Sequence, residues 1–251
     1  MPETVINAFK HHFEDVGSGE PLVMLHGAAG SGRGLVSQAK ELLGDFRAII
    51  PDLRAMGQSA HVESAPSSAW VDDLLGLLDH LGIQAAHVYG VSLGSRIALR
   101  FAIDHPERTR SVIMDAGIIA NDPSGNAALN RGHDPDALPA ERQEMARLQH
   151  GDDWKTVMTN YFNIRNDAAL QEYYNLRKLA TSVQVPVLIL RGDVDDPVHP
   201  LAHSLELHQS IPVSRLAILP NSPSGALRGA PDMAQQIIHQ FTTGVAEVDV
   251  S

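Results

Sequence analysis

Six short runs of almost unbroken hydrophobicity, at residues 21–25, 46–50, 85–89, 111–114, 185–190 and 215–219, constrain this chain most. Apolar residues that do not alternate with polar ones suit strands covered on both faces, the condition of a parallel sheet between two helix layers. Helical spacing fills the gaps. Trp70, Leu74, Leu77, Leu78 and Leu81 form one stripe, with Ser67 and Ser68 as candidate N-caps and Gly82 as a stop. Ile97, Ala98, Phe101 and Ala102 form another. The stretch 5–16, with alternation and a Gly-Ser-Gly turn, predicts an antiparallel hairpin leading in. The class is α/β, with a mostly parallel, doubly wound sheet.

The alternation breaks at residues 118–180. After a loop-like start at 121–126, helical patterns near 138–149, 152–164 and 167–180 follow with no strand between them. The expected organisation is a core of residues 1–117 and 181–251, with a helical cap at 118–180 between the sixth and seventh strands. Such an insertion covers the carboxyl ends of the strands, where ligands bind in open α/β sheets. It carries Trp154, Tyr161, Phe162, Tyr173 and Tyr174. Each alone is expected to pack the insertion onto the sheet. Together they suggest an apolar or aromatic pocket wall.

A formal net charge of −11, with no basic cluster, excludes nucleic acid and anionic membrane surfaces as partners. The absence of cysteine excludes disulfides, thiolate metal sites and cysteine nucleophiles. No basic segment followed by an apolar stretch opens the chain, and no run approaches the roughly 18 residues of a membrane span. The expectation is a soluble, cytoplasmic protein acting on a small molecule, with its oligomeric state open.

Chemistry enters at Gly90-Val91-Ser92-Leu93-Gly94. A strand precedes it and a helix follows, so Ser92 stands at the apex of a tight turn that presents its hydroxyl as a nucleophile. The helix N-terminus behind it aims backbone N–H groups at any anion formed there.

With these pieces the chain resembles the α/β-hydrolase fold family, in its capped esterase, lactonase and C–C-hydrolase branch. His26-Gly27-Ala28 is similar to the family's oxyanion loop, which implies N–H donors from Ala28 and from Leu93. Asp52-Leu53-Arg54-Ala55-Met56-Gly57-Gln58-Ser59 is similar to the family's D-x-R-G-x-G-x-S segment, with Ala55 where glycine is usual, and implies a structural role. His26 is likewise expected to be scaffold. Leu190-Arg191-Gly192-Asp193-Val194-Asp195-Asp196-Pro197 resembles the G-x-x-D that carries the acid, which selects Asp195. Asp196 takes the role if the turn is one residue longer. Asp193 reads as a turn residue, and Asp115, at the end of the 111–114 strand, is an outside candidate.

The family's base belongs to a phrase like L-P-x-x-G-H after the last strand. Here that phrase reads Leu219-Pro220-Asn221-Ser222-Pro223-Ser224, so Ser224 occupies the histidine position. The loop is not shortened; its base is replaced, and the triad reads as incomplete. His199, at the start of the helix after the acid loop, and His133, in the insertion, are the two histidines placed to reach a pocket. Each histidine by itself is expected to be exposed or locally hydrogen-bonded. His199 and His203 have a metal-like interval, but Pro200 between them argues against zinc, and no cofactor or metal is implied. The reading is a serine hydrolase-like enzyme for an ester, lactone or related acyl compound, built on Ser92, Asp195, Ala28 and Leu93. Its competitor keeps the fold and pocket for ligand binding, elimination or cyclisation. Ser224→His is expected to raise esterase activity if the rest of the site is assembled.

Overall fold

A computed structural model describes residues 2–42, 44 and 46–248. The strands are β1 (Glu3–Ile6), β2 (Phe9–Gly17), β3 (Glu20–Leu25), β4 (Phe46–Pro51), β5 (Ala86–Val91), β6 (Thr109–Asp115), β7 (Val187–Gly192) and β8 (Ser214–Leu219). The helices are α1 (Val36–Leu42), α2 (Ala69–His80), α3 (Leu93–Asp104), α4 (Pro123–His133), α5 (Ala140–His150), α6 (Trp154–Arg165), α7 (Ala168–Tyr173), α8 (Leu201–Ser210), α9 (Ala226–Gly229) and α10 (Pro231–Val248). One eight-stranded sheet has the order β1-β2-β4-β3-β5-β6-β7-β8, parallel from β4 onward.

The unbroken apolar runs are explained by two cores, one on each face. Val23, Leu25, Val88, Val112 and Ile189 point into a core shared with α2, α3 and the helical insertion. Their neighbours Leu22, Met24, Tyr89, Ile113 and Leu190 point the other way, into a core with Leu35, Ala39, Ile238 and Phe241. Successive strand residues face opposite sides, so both must be apolar where both faces are covered.

Two local expectations differ from the structure. The antiparallel hairpin is β1–β2, turning at Asn7 and Ala8, both with positive φ (52° and 68°). Such a pair matches the right-handed twist of the strands it joins. The Gly-Ser-Gly turn instead carries the chain from β2 to β3, and β4 lies between those two strands. The loop-like stretch after residue 120 becomes α4, with Pro123 in its first turn. Its glycine- and asparagine-rich sequence has weak helix propensity. Tertiary contacts offset this: Arg165 of α6 donates to Asn130 (2.7 Å) and Asn126 (3.2 Å), one turn apart on α4.

Helices α4 to α7 all lie between β6 and β7, so the insertion rises from the carboxyl edge of the sheet. His150 of α5 ties it to the core. Its Nδ1 accepts the Gly57 N–H (3.0 Å), which leaves Nε2–H to donate to the Ala29 carbonyl (3.2 Å). Among the described residues no helix is long and apolar enough to cross a membrane.

Candidate active site

Ser92 sits between the end of β5 and the start of α3 with φ 55° and ψ −112°. Such a conformation costs on the order of 1–3 kcal/mol in a non-glycine residue and persists only where its surroundings enforce it. The flanking glycines show why. A Cβ on Gly90 would strike the backbone of Gly94 and Ser95, and one on Gly94 would strike the Leu25 carbonyl. The Ser92 N–H donates to the Asp115 carbonyl (3.0 Å), and the Ser95 hydroxyl to the Ser92 carbonyl (2.6 Å).

The group facing Ser92 is His199. Its Nε2 lies 2.8 Å from the Ser92 Oγ, and its Nδ1 lies 3.1 Å from both carboxylate oxygens of Asp196. Asp196 can only accept, so Nδ1 carries the proton and Nε2 presents a lone pair to the serine hydroxyl. This orientation is the one a general base requires.

Both groups come from the single turn between β7 and α8. The Asp196 Oδ1 also accepts from the backbone N–H groups of Val198 (2.8 Å) and His199 (2.9 Å). The aspartate therefore closes its own turn, with Pro197 restricting the backbone inside it. Beneath lies Arg191, 1% exposed, which donates to the carbonyls of Gly192 (2.6 Å), Val194 (3.1 Å) and His199 (3.0 Å). A cation wired to three loop carbonyls holds the turn's shape without competing for its acid.

The acid facing the imidazole is thus Asp196, not the expected Asp195. The Asp195 side chain is 60% exposed, and its Oδ1 accepts the Leu201 N–H (2.7 Å) at the start of α8. The turn is one residue longer than the family spacing implies, because residues 196–199 must bring acid and base to the same spot. Burial raises the Asp196 pKa. The hydrogen bonds from His199 and Ser224 and the His199 charge outweigh it, and hold the carboxyl well below the usual carboxylate range.

Ser224, at the expected histidine position, lies 3.4 Å from His199 Nδ1. The imidazole facing Ser92 comes from a different loop. Asp115 does not reach the imidazole. Its carboxylate accepts from Tyr89 Oη (2.7 Å) and from the N–H groups of Ala226 (2.7 Å) and Leu227 (3.0 Å). That arrangement anchors the segment after Ser224. Burial raises the Asp115 pKa. Asp193 accepts the Ser222 N–H (3.1 Å), which ties the β7–α8 and β8–α9 loops together.

The opposite wall is the loop after β3. Leu53 N–H donates to His26 Nε2 (3.1 Å), so His26 Nδ1–H donates to the Gly27 carbonyl (2.8 Å). Burial lowers the His26 pKa, consistent with a neutral scaffold ring. Asp52 accepts from the N–H groups of Gly32 (2.6 Å) and Gln58 (2.8 Å) and pairs with His12 (2.9 Å). Ala55 has φ 72°, the left-handed conformation for which glycine is the usual residue.

Two spaces meet at Ser92. The larger, about 580 Å³, is bounded by Ala28, Ser92, His199, Ser224 and Arg228 among others. The smaller, about 30 Å³, touches Ala28, Ser92 and Leu93 and runs under the insertion. Of the five insertion aromatics, Tyr161 alone lines either of these spaces, while Trp154 and Tyr174 are buried in packing. His133 is half-buried in the insertion, with no partner for its buried Nδ1, and lines neither space. His203 bonds Asp122 (2.8 Å). Among the described residues no group of His, Asp and Glu could hold a metal.

Residues 20–163 match the alpha/beta hydrolase fold family, and the chain belongs to that family. A putative carbamate hydrolase, RutD, of Caulobacter sp. (strain K31) is 26% identical over 251 residues, covering 90% of this chain and 92% of that protein. A 2-hydroxy-6-oxo-2,4-heptadienoate hydrolase of Pseudomonas putida is 30% identical over 236 residues, covering 82% and 83%. Among solved structures, a thermophilic esterase from Thermogutta terrifontis superposes with a TM-score of 0.79 at 22% identity, over 97% of this chain and 98% of that one. The protein is an enzyme of the hydrolase class.

Proposed function

We propose that this protein is a serine hydrolase of ester-like acyl compounds, working through Ser92, His199 and Asp196. The observation that carries the reading is the 2.8 Å contact between His199 Nε2 and Ser92 Oγ, with Asp196 on the other ring nitrogen. In the first half-reaction His199 takes the Ser92 proton as Oγ attacks the substrate carbonyl. The tetrahedral oxyanion lies against the N–H groups of Ala28 and Leu93. Two such preorganised donors are worth roughly 3 kcal/mol each. His199 then returns the proton to the leaving group. In the second half, water gives its proton to the same nitrogen and attacks the acyl-enzyme, and Ser92 leaves with that proton. Asp196 remains ionised throughout and stabilises the imidazolium. Helices α4 to α7 act as a roof that limits water at the reacting centre.

The test uses a fluorophosphonate probe and p-nitrophenyl esters on the intact chain, beside Ser92→Ala and His199→Ala. Labelling and turnover that vanish in both variants, with melting temperatures preserved, support the reading. Turnover that survives His199→Ala overturns it. On this reading Ser224→His lowers activity: the Ser224 hydroxyl lies 3.4 Å from His199 Nδ1, so a second imidazole there would compete for the acid.

A further inference from the structure

The reaction dictates which part of a substrate enters which space, because the leaving group must stand beside the acid that protonates it. His199 lines the 580 Å³ cavity and does not line the 30 Å³ space. The leaving group therefore occupies the large cavity. The acyl substituent, on the far side of the carbonyl carbon, points into the small one, where Leu93 and Ala28 meet it. Resting on the hydrolase reading above, we infer that the enzyme selects short acyl groups, with a methyl- or amino-sized substituent on the carbonyl, and tolerates a bulky leaving group.

Size is the first argument. A space of about 30 Å³ holds two or three waters at most, since one needs roughly 10–15 Å³ on this measure. A chain of several methylenes enters only by displacing Leu129, Tyr161 or Leu170.

The chemistry of the wall is the second. Two buried guanidinium groups, Arg96 and Arg165, line it. Arg96 donates to the Tyr174 carbonyl (2.6 and 3.1 Å) and to Asn121 (2.7 Å), and Arg165 donates to Asn126 and Asn130. All these partners are neutral, and burial lowers the Arg96 pKa to about 10. Each guanidinium has five N–H groups, so both retain donors beyond those used. An alkyl chain pressed against them would bury those donors without acceptors, which is costly. A small polar substituent has no such cost.

The experiment measures kcat/KM for p-nitrophenyl acetate, butyrate and hexanoate, which share one leaving group. The expected profile falls by roughly 100-fold or more from acetate to hexanoate. Leu129→Ala, at a half-buried position, should raise the hexanoate-to-acetate ratio about tenfold. Leu170→Ala provides the same readout from the other side of the space. A flat or rising profile, or a ratio unmoved in both variants while each melts as a folded protein, overturns the inference and leaves the hydrolase reading intact. No turnover of any ester and no fluorophosphonate labelling overturns both.

Discussion

The loops after β7 and after β8 lie side by side at the carboxyl edge of the sheet, yet they carry very different chemistry. Residues 193–200 place a carboxylate and an imidazole within four positions, in a turn closed by the Asp196 carboxylate and fixed beneath by Arg191. Residues 220–225 occupy the place where the resemblance puts the base and supply only the Ser224 hydroxyl. The position of an imidazole nitrogen is what matters to catalysis, and two different backbone segments can deliver it. A vacant motif position therefore does not mean a missing function when a neighbouring loop reaches the same point in space.

The sharpest way to break this comparison is His199→Ala. Loss of a triad base lowers kcat by about 10⁴-fold or more, leaving only oxyanion-hole and binding contributions. A smaller loss, on steady-state kinetics of a stably folded variant, would return the search to other histidines. Next comes the pair Asp196→Asn and Asp195→Asn. The first should cost about 10²–10⁴ in kcat, because an amide can hold the imidazole in the wrong tautomer. The second should change kcat by less than about threefold, since Asp195 meets only the α8 terminus and Arg191.

The contact between insertion and core gives a third, pH-dependent effect. Burial holds the His150 pKa down to about 4, below the roughly 6.5 of an unfolded histidine. Its contribution to stability is complete above pH 6.5 and is lost as pH falls toward 4, because over that window the unfolded chain takes a proton that the folded one refuses. The loss is about 3 kcal/mol. His150→Gln should flatten that slope in chemical denaturation, and the part that remains includes His133, His26 and His11, whose pKa values burial also lowers. The smallest effect is expected from Ser224→Ala. Removal of one supporting hydrogen bond should lower kcat/KM for p-nitrophenyl acetate by less than about tenfold.

Much of the fold was legible because its causes are local and repeated. Continuous apolar runs report two covered faces, and helical stripes at 70–81 and 97–102 report the layers above them. The bent peptide at Ser92 was legible for the same reason: Gly90 and Gly94 are demanded by backbone collisions within a few residues of Ser92. Helix α4 was not, since contacts from Arg165, distant in the chain, oppose its weak propensity. The imidazole that faces Ser92 was hidden in a different way. His199 follows Asp196 by three residues between two prolines, a signal of a closed turn, but nothing local states that this turn faces Ser92, more than a hundred residues earlier.

The amino-acid order alone settled the sheet, its two layers and the bent peptide at Ser92, because hydrophobic period and steric exclusion act between near neighbours. Which carboxylate meets an imidazole, and which imidazole meets the serine, was decided only when β5 and β7, separated by β6, brought their terminal loops together. Hydrogen-bond geometry is sensitive to a fraction of an ångström, and a one-residue change in turn length moves a side chain by several. Tertiary packing, not spacing along the chain, controls such distances.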